Sequence, residues 1–365
     1  MHFKPRFPKE GEGKSPGFFL LIFFLSVGFF LTAKLIPIPT ADALKAEMIR
    51  ASRHMAQAVK VIHKCKKDQN YFSETEIASS QPALIGLEFS EITTSIGWLE
   101  AKRTSLNPNF AALIVLLFKE AGVKQGDTIA IGASASFPAL IIAAFSACWS
   151  LNLKPLAIIS LGASQWGAND PNFHWLRMQD CLVNNGTLDH KPIAISFGGG
   201  RDVGEEMSPE GLALLQRDIE ESGLLFLKEP NLEENVRMRM KAYMDAAGGK
   251  SLRAFINIGG SYANMGTDPK ILEVEPGLSY IKRFPSPEKR GMIFTMAQRQ
   301  IPIIHLLYIR GLAERYGFPW NPREIPVPGE GSIYSHIREK TLSFLLIGVI
   351  YLLVISGVLL FKKNG

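Results

Sequence analysis

Two almost wholly apolar stretches bracket this chain, and between them short β-branched runs alternate with segments of helical period. The first stretch, Gly17 to Ile36, and the second, Thr341 to Phe361, are each close to the roughly 20 residues a helix needs to cross a bilayer. Both are therefore expected to be transmembrane helices, at 17–36 and 341–361, with Lys34 snorkelling to the interface. Between them the run Thr128–Ile131 meets the small residues Gly132 to Ser136, and Pro138 opens an apolar helix lasting to about Leu151. That is strand, tight loop, helix.

The alternation continues. Strand Leu156 to Ser160 leads to a helix capped by Asp170 with Pro171 at its first position, and then to strand Pro192 to Phe197. Next come a helix from Ser208 to about Ser222, strand Leu224 to Leu227, a helix from Asn231 to Ala247, and strand Ala254 to Ile258. A helix over Pro287 to Arg299 precedes strand Pro302 to His305 and a last helix to about Tyr316. This order predicts an α/β fold with a mostly parallel, doubly wound sheet and helices on both faces, flanked by the two spans. The expected division is a tail at 1–16, the first span, a stalk or edge helix with its loop at 40–82, and the α/β domain at 83–320. A Pro-rich linker at 321–340, the second span and a tail at 362–365 complete it.

Charge changes the picture in one respect. The chain carries 40 Lys+Arg against 34 Asp+Glu, but residues 1–40 and 336–365 hold a surplus of three each, so the middle is neutral. The basic surplus belongs to the membrane flanks, and nucleic-acid binding has no support from it. By the positive-inside rule both termini are cytoplasmic, making a double-pass protein of the cell membrane with its main domain extracytoplasmic. Ala41-Asp42-Ala43 resembles a signal cleavage site, yet the apolar core before it is longer than the usual signal peptide has, which favours an uncleaved anchor. Cys65, Cys148 and Cys181 are an odd number without metal-ligand spacing, and buried free thiols are the default reading; a disulfide at Cys65 stays open outside the cell. His54 and His63 lack the spacing of a metal pair, so no metal is expected, and with no phosphate-loop or dinucleotide signature no cofactor is expected either.

Loops that follow parallel strands become neighbours at the carboxyl edge of the sheet. Four such loops are rich in small polar residues, and they supply the candidate ligand-binding set: Ser134 and Ser136, Ser164 and Asn169, Gly199, Gly200 and Arg201, and Gly259, Gly260 and Asn264. Lys102, Arg103 and Thr104, just before the helix near Pro108, add cations and a hydroxyl that suit an anion; a capped helix with solvated basic residues accounts for them equally. Gly132 to Ser136 is one residue away from G-x-S-x-G, with Ser136 where the nucleophile elbow has glycine. A catalytic reading would use Ser134 or Ser136 with His305 as base and Asp170 or Asp202 as orienting acid, His174 being a second base candidate. Lys102 would form a Ser-Lys pair if it lies close. Serines that only bind a ligand or cap the helix at Pro138 are the competing reading.

Four segments, in order, carry a resemblance: ITTSIGWLEAKRTSLNPNFAAL, GDTIAIGASASFPAL, SLGASQWGANDPNFHWL, and the late IPIIHLL before a P-x-P-G-x-G tail. Together they resemble the poly-γ-glutamate system protein family, membrane-anchored proteins associated with making and exporting poly-γ-glutamate. The resemblance spans about Leu84 to Tyr334. Against the family pattern, Ala135, Arg177 and Gln179 depart, while Ser134, Ser136, Phe137 and Pro138 persist. It implies an accessory role, binding the polymer or the synthase and export proteins of the capsule system, and transfers no catalytic residue. A serine amidohydrolase or γ-glutamyl transferase acting on the same polymer is the alternative.

Overall fold

The computed structural model describes residues 16–35, 39–72, 82–335 and 347–356, with side chains from 19–31 in the first segment and from 43 onward in the second. It divides into two units, one of residues 1–43 and 337–365 and one of Leu44–His336. In the first unit, helix α1 covers Pro16–Leu35 and a second helix covers 347–356. Ser26 Oγ and Tyr351 Oη are 2.7 Å apart, and Phe29 meets the Tyr351 ring edge-on, so a hydroxyl pair and an aromatic contact join the two helices. Among the described residues no helix is long and apolar enough to cross a membrane. The expected spans lie partly outside the described residues, at 36, 341–346 and 357–361, as do most of tail 1–16 and all of tail 362–365.

The second unit is built on a seven-stranded sheet. Its strands are β2 (Thr128–Ser134), β3 (Lys154–Ser160), β5 (Ala194–Ser196), β6 (Leu225–Leu227), β7 (Leu252–Ile258), β8 (Gly277–Ser279) and β9 (Ile303–Leu306), in the order β6-β5-β3-β2-β7-β9-β8. Every pairing is parallel except β8 with β9. The α/β expectation is therefore borne out, with one addition: β8 is an antiparallel edge strand too short and too Gly-rich to be read from the sequence. Strand β2 is buried along its whole length, as a central parallel strand must be. The chain winds outward from β2 through β3, β5 and β6, then returns to β2's other side as β7. That reversal opens a crevice at the carboxyl ends.

Packing follows the pleat. Ala130 of β2 joins Leu156, Ile158 and Phe255 in a core with Leu232, Val236, Met240 and Tyr243 of α8 (Leu232–Ala247), and with Met292, Ile293 and Met296. Tyr243 donates from its hydroxyl to the Ile131 carbonyl at 2.7 Å, which satisfies the one polar atom that ring buries. The alternate β2 residues, Ile129, Ile131 and Ala133, point the other way. Helix α5 (Pro138–Ser150), nearly all buried, contacts β2, β3 and β7 there, and α4 (Asn109–Glu120) packs on it.

Several sequence expectations need correction. Of the two readings of helix α2, Pro39–Asp68, the edge helix fits: from Leu44 on it belongs to the α/β unit and buries Met48, Ala51, Met55 and Ile62. His54 donates or accepts at Ser146 Oγ (2.9 Å) and stacks on Trp149. Asp170 does not cap a helix; Asp170 and Pro171 form a turn, and α6 runs Trp175–Asn184 after His174. By contrast Ser208 and Asn231 do cap α7 (Pro209–Ser222) and α8 (Leu232–Ala247), accepting from Gly211 N and Glu234 N. The helix read over Pro287 to Arg299 is a 3-10 turn at Pro287–Lys289 followed by α10, Met292–Gln298. The Pro-rich segment is held down on the domain, with Asn109 donating to the Val327 and Glu330 carbonyls and Tyr334 buried against Ser52 and Asn109.

The cysteine default is overturned as well. Cys65 of α2 and Cys181 of α6 form a disulfide across 116 residues, and Cys148 alone is a buried free thiol.

Candidate functional site

At the carboxyl edge the expected loops do converge. A cavity of about 500 Å³ is lined by Ser134 and Ser136 after β2, Ser160 and Ser164 after β3, Gly198 to Gly200 after β5, Gly260 to Tyr262 after β7, and Leu307 after β9. Two elements that the sequence left obscure complete it. Strand β1 (Thr93–Ser95) pairs in parallel with the two-residue β4 (Ala163–Ser164), and α3 (Leu99–Ser105) brings in Lys102. Gly97 is needed at this junction because a Cβ there would sit 2.4 Å from the Gln165 carbonyl and 3.2 Å from Ser164 Oγ.

Lys102 organises the interior. Its Nζ is buried, donates to the Ser136 carbonyl, donates to Ser164 Oγ at 2.8 Å, and lies 3.8 Å from the centre of the Phe137 ring. Among the described residues no carboxylate is paired with it, and burial pushes the amine down to about 7. The three serines are ordered differently. Ser134 and Ser136 hydroxyls are 2.8 Å apart and bond to each other, and Ser136 Oγ also accepts from Ser164 N at 2.9 Å. Ser261 also lines the cavity, but its Oγ is buried and has no hydrogen-bond partner among the described residues. Among the described residues Glu206 is the cavity's one carboxylate, accepting from Gly200 N at 2.8 Å.

The histidine triad is not assembled. His305 Nδ1 accepts from Asn257 Nδ2 at 3.1 Å, burial pushes its imidazole down to about 4, and neither Ser134 nor Ser136 is bonded to it. Asp170 faces Lys66 at 3.7 Å, and His174 Nε2 bonds Asp218 at 2.8 Å. Asp202 is wholly buried and receives Ser196 Oγ, Asn235 Nδ2 and Arg239 Nη2 at 2.8, 3.0 and 2.6 Å. It anchors the loop Gly198–Asp202 from below, a holding role rather than an orienting one.

Of the other expected residues, Gly199 and Gly200 line the cavity, while Arg201 is exposed and paired with Glu205. Gly259, at φ +75°, puts its α-carbon where a Cβ would come 3.2 Å from Ser134 Cβ. Arg103 is exposed; Thr104 is buried and accepts from Asn321 N. Asn169 is spent on Leu87 and Thr93, and Asn264 is buried against Gly132. Missed beforehand were Thr94, Ser95, Trp98, Ser160, Glu206, Ser261 and Tyr262. Of these Ser160, Ser261 and Tyr262 carried a legible signal, their places at the end of a strand in SLGASQWG and after one in GGSYANMG. Among the described residues no group of His, Cys, Asp and Glu is arranged to hold a metal.

Fold and site together define an α/β protein with a serine-lined crevice around the buried Lys102. No family model matches the chain, and neither the curated proteins nor the solved structures include a significant match.

Proposed function

We propose that this chain is a membrane-anchored accessory protein of poly-γ-glutamate synthesis and export, which binds the emerging polymer through the crevice. The apolar segments 17–36 and 341–361 with their basic flanks support a double-pass anchor with both termini cytoplasmic. The Cys65–Cys181 disulfide supports an oxidising, extracytoplasmic setting for the α/β domain. The observation that carries the ligand class is the cavity lining: hydroxyls and glycine backbone around Lys102, with Glu206 as the only carboxylate among the described residues. Such a lining suits a chain of amides that bears a carboxylate on every unit.

Gly260 supplies a clean test, because a Cβ added there meets nothing within 4 Å. Full-length protein in detergent micelles is titrated with poly-γ-glutamate oligomers of defined length. Saturable binding that weakens at least tenfold in Gly260→Asp, and not in Gly260→Asn, is expected, since a carboxylate in the mouth repels the polyanion. Equal binding by the wild type and Gly260→Asp would sink the proposal.

A further inference from the structure

We infer that Lys102 and Ser164 form a base and nucleophile pair, making the crevice an acyl-transfer site that cleaves a γ-glutamyl amide. The choice of amide rests on the polymer reading above; the pair itself rests on geometry.

Lys102 Nζ is 2.8 Å from Ser164 Oγ, and both residues are more than nine-tenths buried on the wall of one cavity. Of the hydroxyls after β2 and β3, Ser164's is the one Lys102 touches; Ser134 and Ser136 satisfy each other. Ser164 is also the fixed one. Its backbone is pinned by the β1–β4 pairing and by donation from its N–H to Ser136 Oγ. An ammonium cannot take a proton, so the pair needs a neutral amine, and a lysine pushed down to about 7 by burial supplies that form at neutral pH.

The chemistry closes. Ser164 Oγ attacks the amide carbonyl carbon, Lys102 Nζ takes the hydroxyl proton, and the carbon–nitrogen bond breaks as that proton passes to the leaving amine. The ester left on Ser164 is attacked by water, with Lys102 accepting a water proton and returning it to Ser164 as the ester bond breaks. An amine in place of water gives transfer instead of hydrolysis.

The test treats full-length protein in micelles with a fluorophosphonate probe, locates the adduct by peptide mass spectrometry, and follows poly-γ-glutamate length in parallel. Labelling of Ser164, rising with pH through about 7 to a plateau, is the expected result. Ser164→Ala should lose the label with an unchanged melting temperature, and Lys102→Arg, which keeps the cation but cannot serve as base, should slow labelling at least a hundredfold. Absence of label, label on Ser134 or Ser136, or wild-type labelling of Ser164→Ala overturns the pair. A labelled protein that binds the polymer without shortening it leaves the pair standing and overturns the substrate assignment alone.

Discussion

Two lysines are buried in this domain, and their surroundings differ in one respect. Lys66, 1% exposed, faces the Asp170 carboxylate at 3.7 Å and the rings of Phe72 and Phe173. Lys102, 2% exposed, has a ring, a carbonyl and a hydroxyl about it, and no carboxylate. An opposite charge answers burial at the first site, so the lysine there is a structural member. At the second, burial is answered only by dipoles, and the cost of ionisation is what lowers the amine towards neutrality. A buried lysine lowered towards neutrality in a crevice is a candidate for function, whereas one paired with a carboxylate is accounted for by packing.

The largest expected effect concerns the Lys66 side of the comparison. Cys65 precedes Lys66, and its bond to Cys181 ties α2 to α6 over a separation of 116 residues. Replacing both cysteines by serine is expected to cost about 5 kcal/mol, on the loop-entropy argument. Urea unfolding of the full chain in micelles measures it; a double variant with the wild-type midpoint would show that this region is held by packing alone.

The next effect sets the two lysines directly against each other. Asp170→Ala removes the carboxylate facing Lys66 and is expected to destabilise by about 3 kcal/mol. Lys102→Met removes an ammonium that nothing neutralises and is expected to stabilise by about 1 kcal/mol at pH 6. The sign depends on pH. Below about 7 both native and unfolded chains carry the Lys102 proton, and the full cost of burying it applies. Between about 7 and the ordinary value of 10.5 only the unfolded chain binds that proton, so the wild type gains stability as pH rises. The advantage of Lys102→Met should therefore fade towards pH 10. Unfolding curves at pH 6, 8 and 10 test this, and a pH-independent difference would mean that Lys102 is not titrating in the folded protein.

The same contrast shows how far the chain could be read unaided. The βαβ alternation around β2 was legible because its strands are continuous apolar runs and its helices are closed by Ser208, Asn231 and glycines. The convergence of loops at the carboxyl edge followed from parallel topology. Lys102 was legible as a residue but not as a buried one, because Lys-Arg before a helix reads as a solvated pair; Arg103 is indeed exposed while its neighbour is not. What surrounds Lys102 is the Ser136 carbonyl, the Phe137 ring and Ser164, the last held in the pairing of β1 with β4, strands of three and two residues with no period to detect. The disulfide was hidden for a related reason, since contact between α2 and α6 depends on tertiary docking.

The smallest expected effect tests whether a neutralised site titrates in the opposite sense. Asp218 accepts from His174 Nε2 at 2.8 Å and Arg177 Nη2 at 3.0 Å, with Arg217 beside it. The hydrogen bond from His174, reinforced by the charges of His174 and Arg177, holds its carboxyl down at about 2 although burial works against this. A lowered carboxylate contributes stability in full above its ordinary value of 3.8, and loses it as pH falls towards about 2. Lys102 therefore steepens the stability profile on its basic side and Asp218 on its acidic side. Asp218→Asn should flatten the acid limb between pH 4 and pH 2 by about 1 kcal/mol, leaving the limb above pH 7 untouched. Urea midpoints of Asp218→Asn and the wild type across pH 2–5 decide it: an acid limb of unchanged slope would place the acid sensitivity on other carboxylates and leave Asp218 as a packing contact.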